Sequence, residues 1–326
     1  MRKQAAGVVH IIPLVVIAVF LTGTLYSTLN EVTRKKIKDF FRGGNLELVE
    51  ATPTPTDSPT PSPTESPTPT VSPTASPAMT PTAPPVATAQ PVSGPPASGV
   101  STITIATQLG NFKATIASID LNSARVITDT ASDSDCYDNC PSLSLSDYVA
   151  RNGGFAGVNG TYFCPSTYPE CAGKTNSTDF PVYNSRLGRW LSEGTLFWGG
   201  RSMVYFDGSG AHYLQNASSF SGGLTAGIVN YPGLLANGNV QIDDSQSGLS
   251  YNQRAVGTKV GIGVRGLKNV MVVVAYNVNM QQFAHVFKSL GADGALNLDT
   301  GGSAALWYGG YRVGPGRSLP NAIVFQ

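Results

Sequence analysis

Alternating apolar and polar residues predict that the folded part of the chain begins with a β-hairpin. Ile103 and Ile105 alternate with polar residues before a turn at 109–111, and residues 112–116 continue the alternation after it. A period of two is typical of strands that bury one face. Residues 101–128 are therefore expected to form strands.

Two helices are predicted where a capping residue precedes apolar residues at helical spacing. Residues 144–147, Ser-Leu-Ser-Asp, have the pattern of a capping box. Asn279 can cap a second helix, which carries Phe283 and Phe287 on one face and ends before Gly291. Both helices are expected to pack one apolar face on a sheet.

The second helix lies between two apolar runs, 270–276 and 295–299. This order of strand, helix and strand predicts a crossover onto a neighbouring parallel strand, with Asp299 at the carboxyl end of that strand. We therefore expect an α+β domain built on a mixed, twisted β-sheet with a few helices. Two other pairs of segments have the spacing of hairpins: 260–264 with 270–274, and 304–308 with 311–313.

The composition divides the 326 residues into three parts. Residues 1–45 contain a long apolar run, residues 46–100 are rich in Pro, Thr and Ser, and residues 101–326 have the composition of a folded domain. Pro-Thr repeats bury little apolar surface and favour extended conformations. We expect the middle part to be a disordered linker.

The apolar run near the N-terminus predicts a membrane anchor. Between Gly7 and Leu29 there is no Asp, Glu, Lys or Arg, and about 20 apolar residues suffice to cross a bilayer as a helix. A transmembrane helix at about 7–29 is therefore expected. A cleavable signal peptide is the alternative, although no small-x-small cleavage site follows the run. Basic residues flank both ends, with two before the run and five between residues 34 and 42. Positive-inside counting alone would keep the folded domain in the cytoplasm.

The four cysteines, Cys136, Cys140, Cys164 and Cys171, all lie in one segment of the folded part. This clustering is typical of disulfides in an oxidising compartment and predicts an extracytoplasmic domain. Four cysteines allow three pairings, of which 136 with 140 and 164 with 171 is the local one. A zinc site is the alternative, but the spacing is loose and the histidines are scattered.

The charge excludes one class of partner. The net charge is +1, whereas nucleic-acid binding requires a basic face that neutralises phosphates. No nucleic-acid partner is expected. The sequence predicts no metal ligands and no required cofactor, although a divalent cation remains possible.

The candidate chemistry is concentrated in residues 297–303, Asn-Leu-Asp-Thr-Gly-Gly-Ser. Asp299 ends an apolar strand, and Gly301 and Gly302 let the backbone approach a ligand closely. Their N–H groups can surround an anionic oxygen. Residues 159–163 and 253–257 also place polar groups beside glycine at the edges of apolar runs. These three segments together predict a site.

In this order the three segments resemble the phosphodiester glycosidase family, which includes the enzyme that uncovers mannose 6-phosphate. The family motifs are Asn-Gly-Gly-Phe-Phe-like, Arg-x-Ala-x-Gly-like and Asn-Leu-Asp-Gly-Gly-Gly-Ser-like. Here they read Asn-Gly-Thr-Tyr-Phe, Gln-Arg-Ala-Val-Gly and Asn-Leu-Asp-Thr-Gly-Gly-Ser. Thr161, Tyr162 and Thr300 depart from the pattern. Arg254 directly precedes Ala255, whereas one residue separates the arginine from the alanine in the family motif. The resemblance covers about residues 101–326.

The resemblance implies hydrolysis of sugar-1-phosphodiesters of the N-acetylglucosamine type, in surface or exopolysaccharide glycans. Such a reaction needs a group that binds phosphate and a carboxylate that moves protons or stabilises an oxocarbenium-like transition state. Asp299 is the expected acid/base, Arg254 the phosphate partner, and Asn159 the ligand of a sugar hydroxyl or phosphate oxygen. Thr300 and Thr161 would narrow the pocket. The expected substrate-binding residues are Thr161, Thr300, Gly301, Gly302 and Ser303.

Two alternatives stay open. The domain could bind a glycan or phosphoglycan at the cell surface without turnover. Asp299 could serve only to cap a turn, which is a frequent use of aspartate. A second acid is not evident, and Glu193 and Asp293 are the candidates for it.

Overall fold

The computed structural model describes residues 90–196, 199–245 and 248–326. The expected transmembrane segment, at about 7–29, lies outside the described residues, and so do residues 46–89 of the expected linker. Within the described ranges, no helix has the length and apolar character needed to cross a membrane.

Short strands dominate the described residues, with three α-helices and four 3-10 turns. The strands are β1 (Gly99–Thr107), β2 (Gly110–Asp120), β3 (Val126–Thr130), β4 (Ala156–Asn159), β5 (Val182–Asn184), β6 (Arg189–Leu191), β7 (Ser202–Phe206), β8 (Ala211–Leu214), β9 (Ala226–Asn230), β10 (Gly233–Ala236), β11 (Asn239–Val240), β12 (Gly257–Arg265), β13 (Asn269–Val278), β14 (Gly294–Asn297), β15 (Leu306–Tyr308), β16 (Tyr311–Val313) and β17 (Asn321–Phe325). The helices are α1 (Leu145–Arg151), α2 (Tyr251–Arg254) and α3 (Met280–Ser289). The 3-10 turns are Pro169–Cys171, Glu193–Thr195, Ala217–Ser219 and Gly301–Ser303.

The strands form three sheets. Their orders are β1-β2-β13-β12-β14-β10-β11, β16-β15-β4-β17-β3 and β6-β5-β9-β7-β8. The pairings between these strands are antiparallel. The expected mixed sheet is therefore wrong, and the domain is mostly β with few helices. Several sequence neighbours are joined by tight turns, which can only make antiparallel pairs.

Hairpin formation also decides where the strand before Asp299 lies. The predicted hairpins β1–β2, β12–β13 and β15–β16 are confirmed. Because β13 already pairs with β12 on one side and with β2 on the other, the chain leaving α3 cannot add a strand beside β13. Instead β14 pairs antiparallel with β12 and β10, and the expected neighbouring parallel strand is wrong.

Both predicted helices begin at the predicted caps. Ser144 caps α1, and Asn279 caps α3, each with a reciprocal capping box. Phe283 and Phe287 of α3 pack on β12, where a Cβ at Gly261 or Gly263 would lie 2.8–3.1 Å from their ring atoms and other neighbours. The glycines in β12 therefore allow α3 to approach the sheet closely.

The main core lies where the inner faces of the sheets meet. Alternate residues of β12, namely Val260, Ile262 and Val264, are buried in it. On β13, Met271 and Val273 point to the opposite face, where α3 packs. Full burial of a side chain of this size contributes about 1.5–3 kcal/mol.

The four cysteines form two local disulfides. Cys136 pairs with Cys140, and Cys164 pairs with Cys171. This is the local one of the three pairings that the sequence leaves open, and the zinc alternative is wrong. Across the described ranges, no group of three or more His, Cys, Asp or Glu side chains is arranged to hold a metal ion.

Candidate active site

Strands from all three sheets end at one place in the molecule. The last residues of β4, β9 and β14 are Asn159, Asn230 and Asn297, and β17 begins with Asn321. Each of these four asparagines is at most 1% exposed. We call these four residues the asparagine layer. Buried amides need hydrogen-bond partners, and the partners in this layer fix the loops that follow the strands.

Asn159 uses its side chain to hold the backbone on either side of Asp299. Its Nδ2 donates to the Asp299 carbonyl at 2.8 Å, and its Oδ1 accepts from the Ala305 N–H at 3.0 Å. The Asp299 N–H donates to the Gly160 carbonyl at 2.9 Å. Asn159 therefore positions the Asp299 loop, and the structure does not bring its amide into the pocket described below.

The residues after Asn159 also face inward. A Cβ at Gly160 would lie 1.8 Å from the Asn321 Oδ1, so only glycine fits there. Thr161 is 1% exposed, and its hydroxyl donates to the Asn230 Oδ1 at 2.9 Å. Thr161 does not line the pocket, contrary to its expected role in substrate binding.

A pocket of about 300 Å³ opens beside Asp299. This volume is at the small end of the range for ligand pockets. Of the sequence-predicted site residues, Asp299, Thr300 and Ser303 line it. The remaining lining residues are Tyr162, Phe163, Pro165, Tyr168, Asp179, Phe180, Ser250, Asn252, Gln253 and Arg317.

Asp299 has the environment of an acid/base group. The Thr300 N–H donates to its Oδ1 at 2.8 Å, and the Ser303 hydroxyl is a further hydrogen-bond partner. Burial raises the pKa of Asp299 to about 7, while these hydrogen bonds and the charge of Arg317 oppose the rise. A carboxyl with this pKa can give or take a proton near neutral pH.

The glycine turn after Asp299 makes room for an arginine. Gly301 has φ +63°, which favours glycine. A Cβ at Gly302 would lie 2.3 Å from the Arg317 Nη2, and the Arg317 N–H donates to the Gly302 carbonyl at 3.0 Å. The guanidinium carbon lies 5.4 Å from the centre of the Tyr168 ring. Gly301 and Gly302 thus shape the wall without lining the pocket themselves.

Arg317 is the pocket cation, and Arg254 is not. Arg254 ends α2 and donates to the Leu249 carbonyl, and it does not line the pocket although Ser250 and Gln253 do. Arg317 makes no ion pair within 4 Å in the part of the chain that the structure describes. The hydrophobic pattern does not predict Arg317 as a site residue, because Arg317 lies in a loop. The signal for it was Gly-Pro-Gly-Arg at 314–317, a glycine-rich run ending in a cation.

Asp179 is the second carboxylate of the pocket. Asp179 is exposed to solvent, but partial desolvation raises its pKa while Lys174 lowers it, and its charge contributes to the raised pKa of Asp299. Glu193 and Asp293, the expected candidates for the second acid, do not line the pocket. Asp293 instead accepts from the Gly266 N–H at 2.6 Å. No periodicity or motif in the sequence distinguishes Asp179 from other loop aspartates.

Comparison with known proteins agrees with this fold. No curated protein matches the chain. The catalytic domain of zebrafish N-acetylglucosamine-1-phosphodiester alpha-N-acetylglucosaminidase, auto-inhibited by its pro-peptide, is 16% identical with a TM-score of 0.54, over 70% of this chain and 82% of that one. This likeness shows the fold.

Two other solved structures are more distant. A protein from Synechocystis is 14% identical with a TM-score of 0.48, over 69% of this chain and 61% of that one. An exported protein from Burkholderia pseudomallei is 14% identical with a TM-score of 0.40, over 66% of this chain and 74% of that one. The chain therefore spans less than two thirds of the length of the Synechocystis protein.

The sequence profile of the phosphodiester glycosidase family matches residues 152–326. This range contains every residue that lines the pocket, and it exceeds half of the 326 residues. The chain belongs to the phosphodiester glycosidase family.

Proposed function

We propose that the protein hydrolyses sugar-1-phosphodiesters, cleaving the bond between the sugar C1 and the phosphate oxygen. One observation carries the proposal: Asp299, a carboxyl with a pKa of about 7, and Arg317, an arginine that makes no ion pair within 4 Å among the described residues, line the same pocket. Membership of the family supports a glycosidase activity on phosphodiester-linked sugars.

Arg317 is the proposed ligand of the phosphate. A guanidinium offers paired N–H donors that match two phosphate oxygens. The stacking of Arg317 on Tyr168 and the space left by Gly302 hold the guanidinium beside the pocket. In this proposal Arg317 takes the role that the sequence motif assigned to Arg254, and the Thr300 hydroxyl adds a donor from the same wall.

The two carboxylates divide the proton transfers. Asp299, protonated at the start, gives its proton to the phosphate oxygen as the bond from that oxygen to C1 breaks. Asp179 accepts a proton from a water molecule, whose oxygen forms the new bond to C1. The products are a free sugar and a phosphate monoester. The walls made by Phe163 and Phe180 pack on the apolar face of the sugar.

The proposed substrate is an N-acetylglucosamine-type phosphodiester in a surface or exopolysaccharide glycan. The printed name of the zebrafish neighbour describes that enzyme as acting on N-acetylglucosamine-1-phosphodiesters. The two disulfides support an oxidising, extracytoplasmic location for the domain.

In this proposal a helix at about 7–29 tethers the domain to the membrane. Protease accessibility of the domain on intact cells tests the external location. Complete protection would contradict the external location.

Hydrolysis of a chromogenic N-acetylglucosamine-1-phosphodiester tests the activity directly. The wild-type protein is compared with Asp299→Asn and with Asp293→Asn, a matched control outside the pocket. We expect Asp299→Asn to lose about 10²- to 10⁴-fold in turnover and Asp293→Asn to retain it. Repeating the assay with a chelator reports any need for a divalent cation. Absence of turnover by folded, oxidised wild-type protein would favour a glycan-binding module instead.

A further inference from the structure

Tyr162 is a pocket residue whose hydroxyl is oriented by the asparagine layer. Its hydroxyl oxygen lies 2.7 Å from the Asn297 Nδ2, and the same Nδ2 lies 3.3 Å from the Tyr231 carbonyl. A carbonyl only accepts hydrogen bonds, so the amide nitrogen must be the atom placed there, and its other hydrogen is donated to Tyr162. Tyr162 is thus the acceptor in this bond and keeps its own proton for another acceptor.

A chain of buried hydrogen bonds fixes the Asn297 amide. The Asn230 Nδ2 donates to the Asn297 carbonyl at 2.8 Å. The Asn230 Oδ1 in turn accepts from the Thr161 hydroxyl at 2.9 Å and from the Tyr162 N–H at 3.4 Å. The side-chain partners of Asn230 therefore belong to residues 161, 162 and 297, in the segments that lead into the pocket. The Asn297 Oδ1 has no hydrogen-bond partner, so the contacts of its Nδ2 and of its carbonyl orient the amide.

The phenol stays protonated at physiological pH. Burial, and then the charge of Asp299, raise the pKa of Tyr162 above its ordinary value. The side chains of Gln253 and Thr300 are also hydrogen-bond neighbours of the hydroxyl. Both are neutral partners, and a phosphate oxygen that carries negative charge is a stronger acceptor than either.

We propose that Tyr162 is a catalytic residue that donates a hydrogen bond to the phosphate oxygen on which negative charge grows as the bond to the sugar breaks. This proposal rests on the proposed function. Tyr162 loses no proton in the step, because Asp299 supplies the proton and the phenol stabilises the charge. A donor held in place before the reaction stabilises the transition state more than the bound diester.

The variant Tyr162→Phe removes only the hydroxyl. We expect kcat to fall about 10- to 100-fold, with KM changed by less than about threefold, because the intact diester carries little charge on the departing oxygen. Inorganic phosphate carries the charge of the product, so its inhibition constant is expected to rise about tenfold. Equal losses through KM and kcat, together with a lower Tm, would indicate a structural role and overturn the proposal.

Tyr213→Phe is the matched control. Tyr213 is half-buried, like Tyr162, and burial raises its pKa to about 12. Its hydroxyl donates to the Ser202 Oγ at 3.2 Å, and it does not line this pocket. We expect Tyr213→Phe to leave kcat and phosphate inhibition unchanged. If the wild-type protein hydrolyses the diester and Tyr162→Phe has the same kcat, the role of Tyr162 is overturned while the proposed function stands.

A second measurement separates the two proposals. If the wild-type protein hydrolyses no diester, the proposed function fails, and calorimetric titration with inorganic phosphate then decides the role of Tyr162. Weaker phosphate binding by Tyr162→Phe than by Tyr213→Phe would support a phosphate-facing donor. Equal binding by the two variants, or no binding by the wild-type protein, would overturn it.

Discussion

Asp129, which is fully buried, and Asp299, which is partly buried, differ in what surrounds their carboxylates. Asp129 is 0% exposed, and Arg151 lies 2.6 Å and Arg186 3.7 Å from its carboxylate oxygens. Asp299 accepts hydrogen bonds but makes no ion pair within 4 Å among the residues that the structure describes. Burial raises the pKa of Asp299 to about 7. Burial of a carboxylate therefore does not mark a site by itself. Asp299 is distinguished by a raised pKa together with a place on the pocket wall.

The arginines show the same contrast. Arg151 and Arg186 are held against Asp129, whereas Arg317 stacks on an aromatic ring and faces a pocket. The first cluster joins α1 to β3 and stabilises the fold. The second keeps a positive charge available for a ligand.

The same substitution, aspartate to asparagine, is compared at positions 299 and 129, and the larger effect is expected at position 299. Asp299→Asn is expected to lose about 10²- to 10⁴-fold in turnover while remaining folded, because only the proton donor is removed. Steady-state kinetics with circular dichroism measure both properties. Retention of wild-type turnover by this variant would end the distinction between the two aspartates.

Asp129→Asn is expected to act on stability. The substitution removes the counter-charge of Arg151 and Arg186, and we expect the free energy of unfolding to fall by about 3 kcal/mol. The kcat of the protein that remains folded should be unchanged. Urea denaturation followed by fluorescence measures the loss. A change in kcat without a change in the midpoint would contradict the structural assignment.

The raised pKa of Asp299 predicts a stability that depends on pH. The folded pKa of about 7 exceeds the ordinary value of 3.8, so the folded state binds the proton more tightly than the unfolded state. Stability is therefore lost as pH rises from about 4 to about 7. Asp299→Asn avoids this loss and should exceed the wild-type stability by up to about 4 kcal/mol at pH 8, but not at pH 4. A stability difference between the two proteins that does not change with pH would contradict the raised pKa of Asp299.

Gly302→Ala tests the placement of Arg317. A Cβ at this position would meet the Arg317 Nη2 at 2.3 Å, and the flexible guanidinium can move away at little cost to the fold. We expect the KM for the diester to rise about tenfold and the free energy of unfolding to change by less than about 0.5 kcal/mol. Gly194→Ala is the control, because a Cβ there meets nothing within 4 Å. Equal KM values for the two variants would remove Arg317 from the site.

Local features of this fold could be predicted from the sequence. The caps at Ser144 and Asn279 and the hairpins follow from residues close together in the chain. The place of β14 could not, because it depends on which edges of the β12–β13 hairpin other strands already occupy.

The candidate site divides in the same way. The Asp299 segment joins strand and glycine turn in one stretch, so its place at a pocket could be read from the sequence. Asp179 and Arg317 come from separate loops without periodicity, and only the fold brings them to Asp299. Asn159 and Arg254 lie in the expected segments, but their side chains bond to backbone carbonyls. The side-chain direction depends on packing that a motif does not encode.

The pH dependence of kcat/KM for a sugar-1-phosphodiester tests the central claim most directly, because this ratio reports ionisations of the free enzyme. If Asp299 acts as the acid with its pKa raised to about 7, kcat/KM should fall above about pH 7. A profile that is flat through neutral pH, or wild-type kcat/KM in Asp299→Asn, would contradict the assignment of Asp299 as the acid.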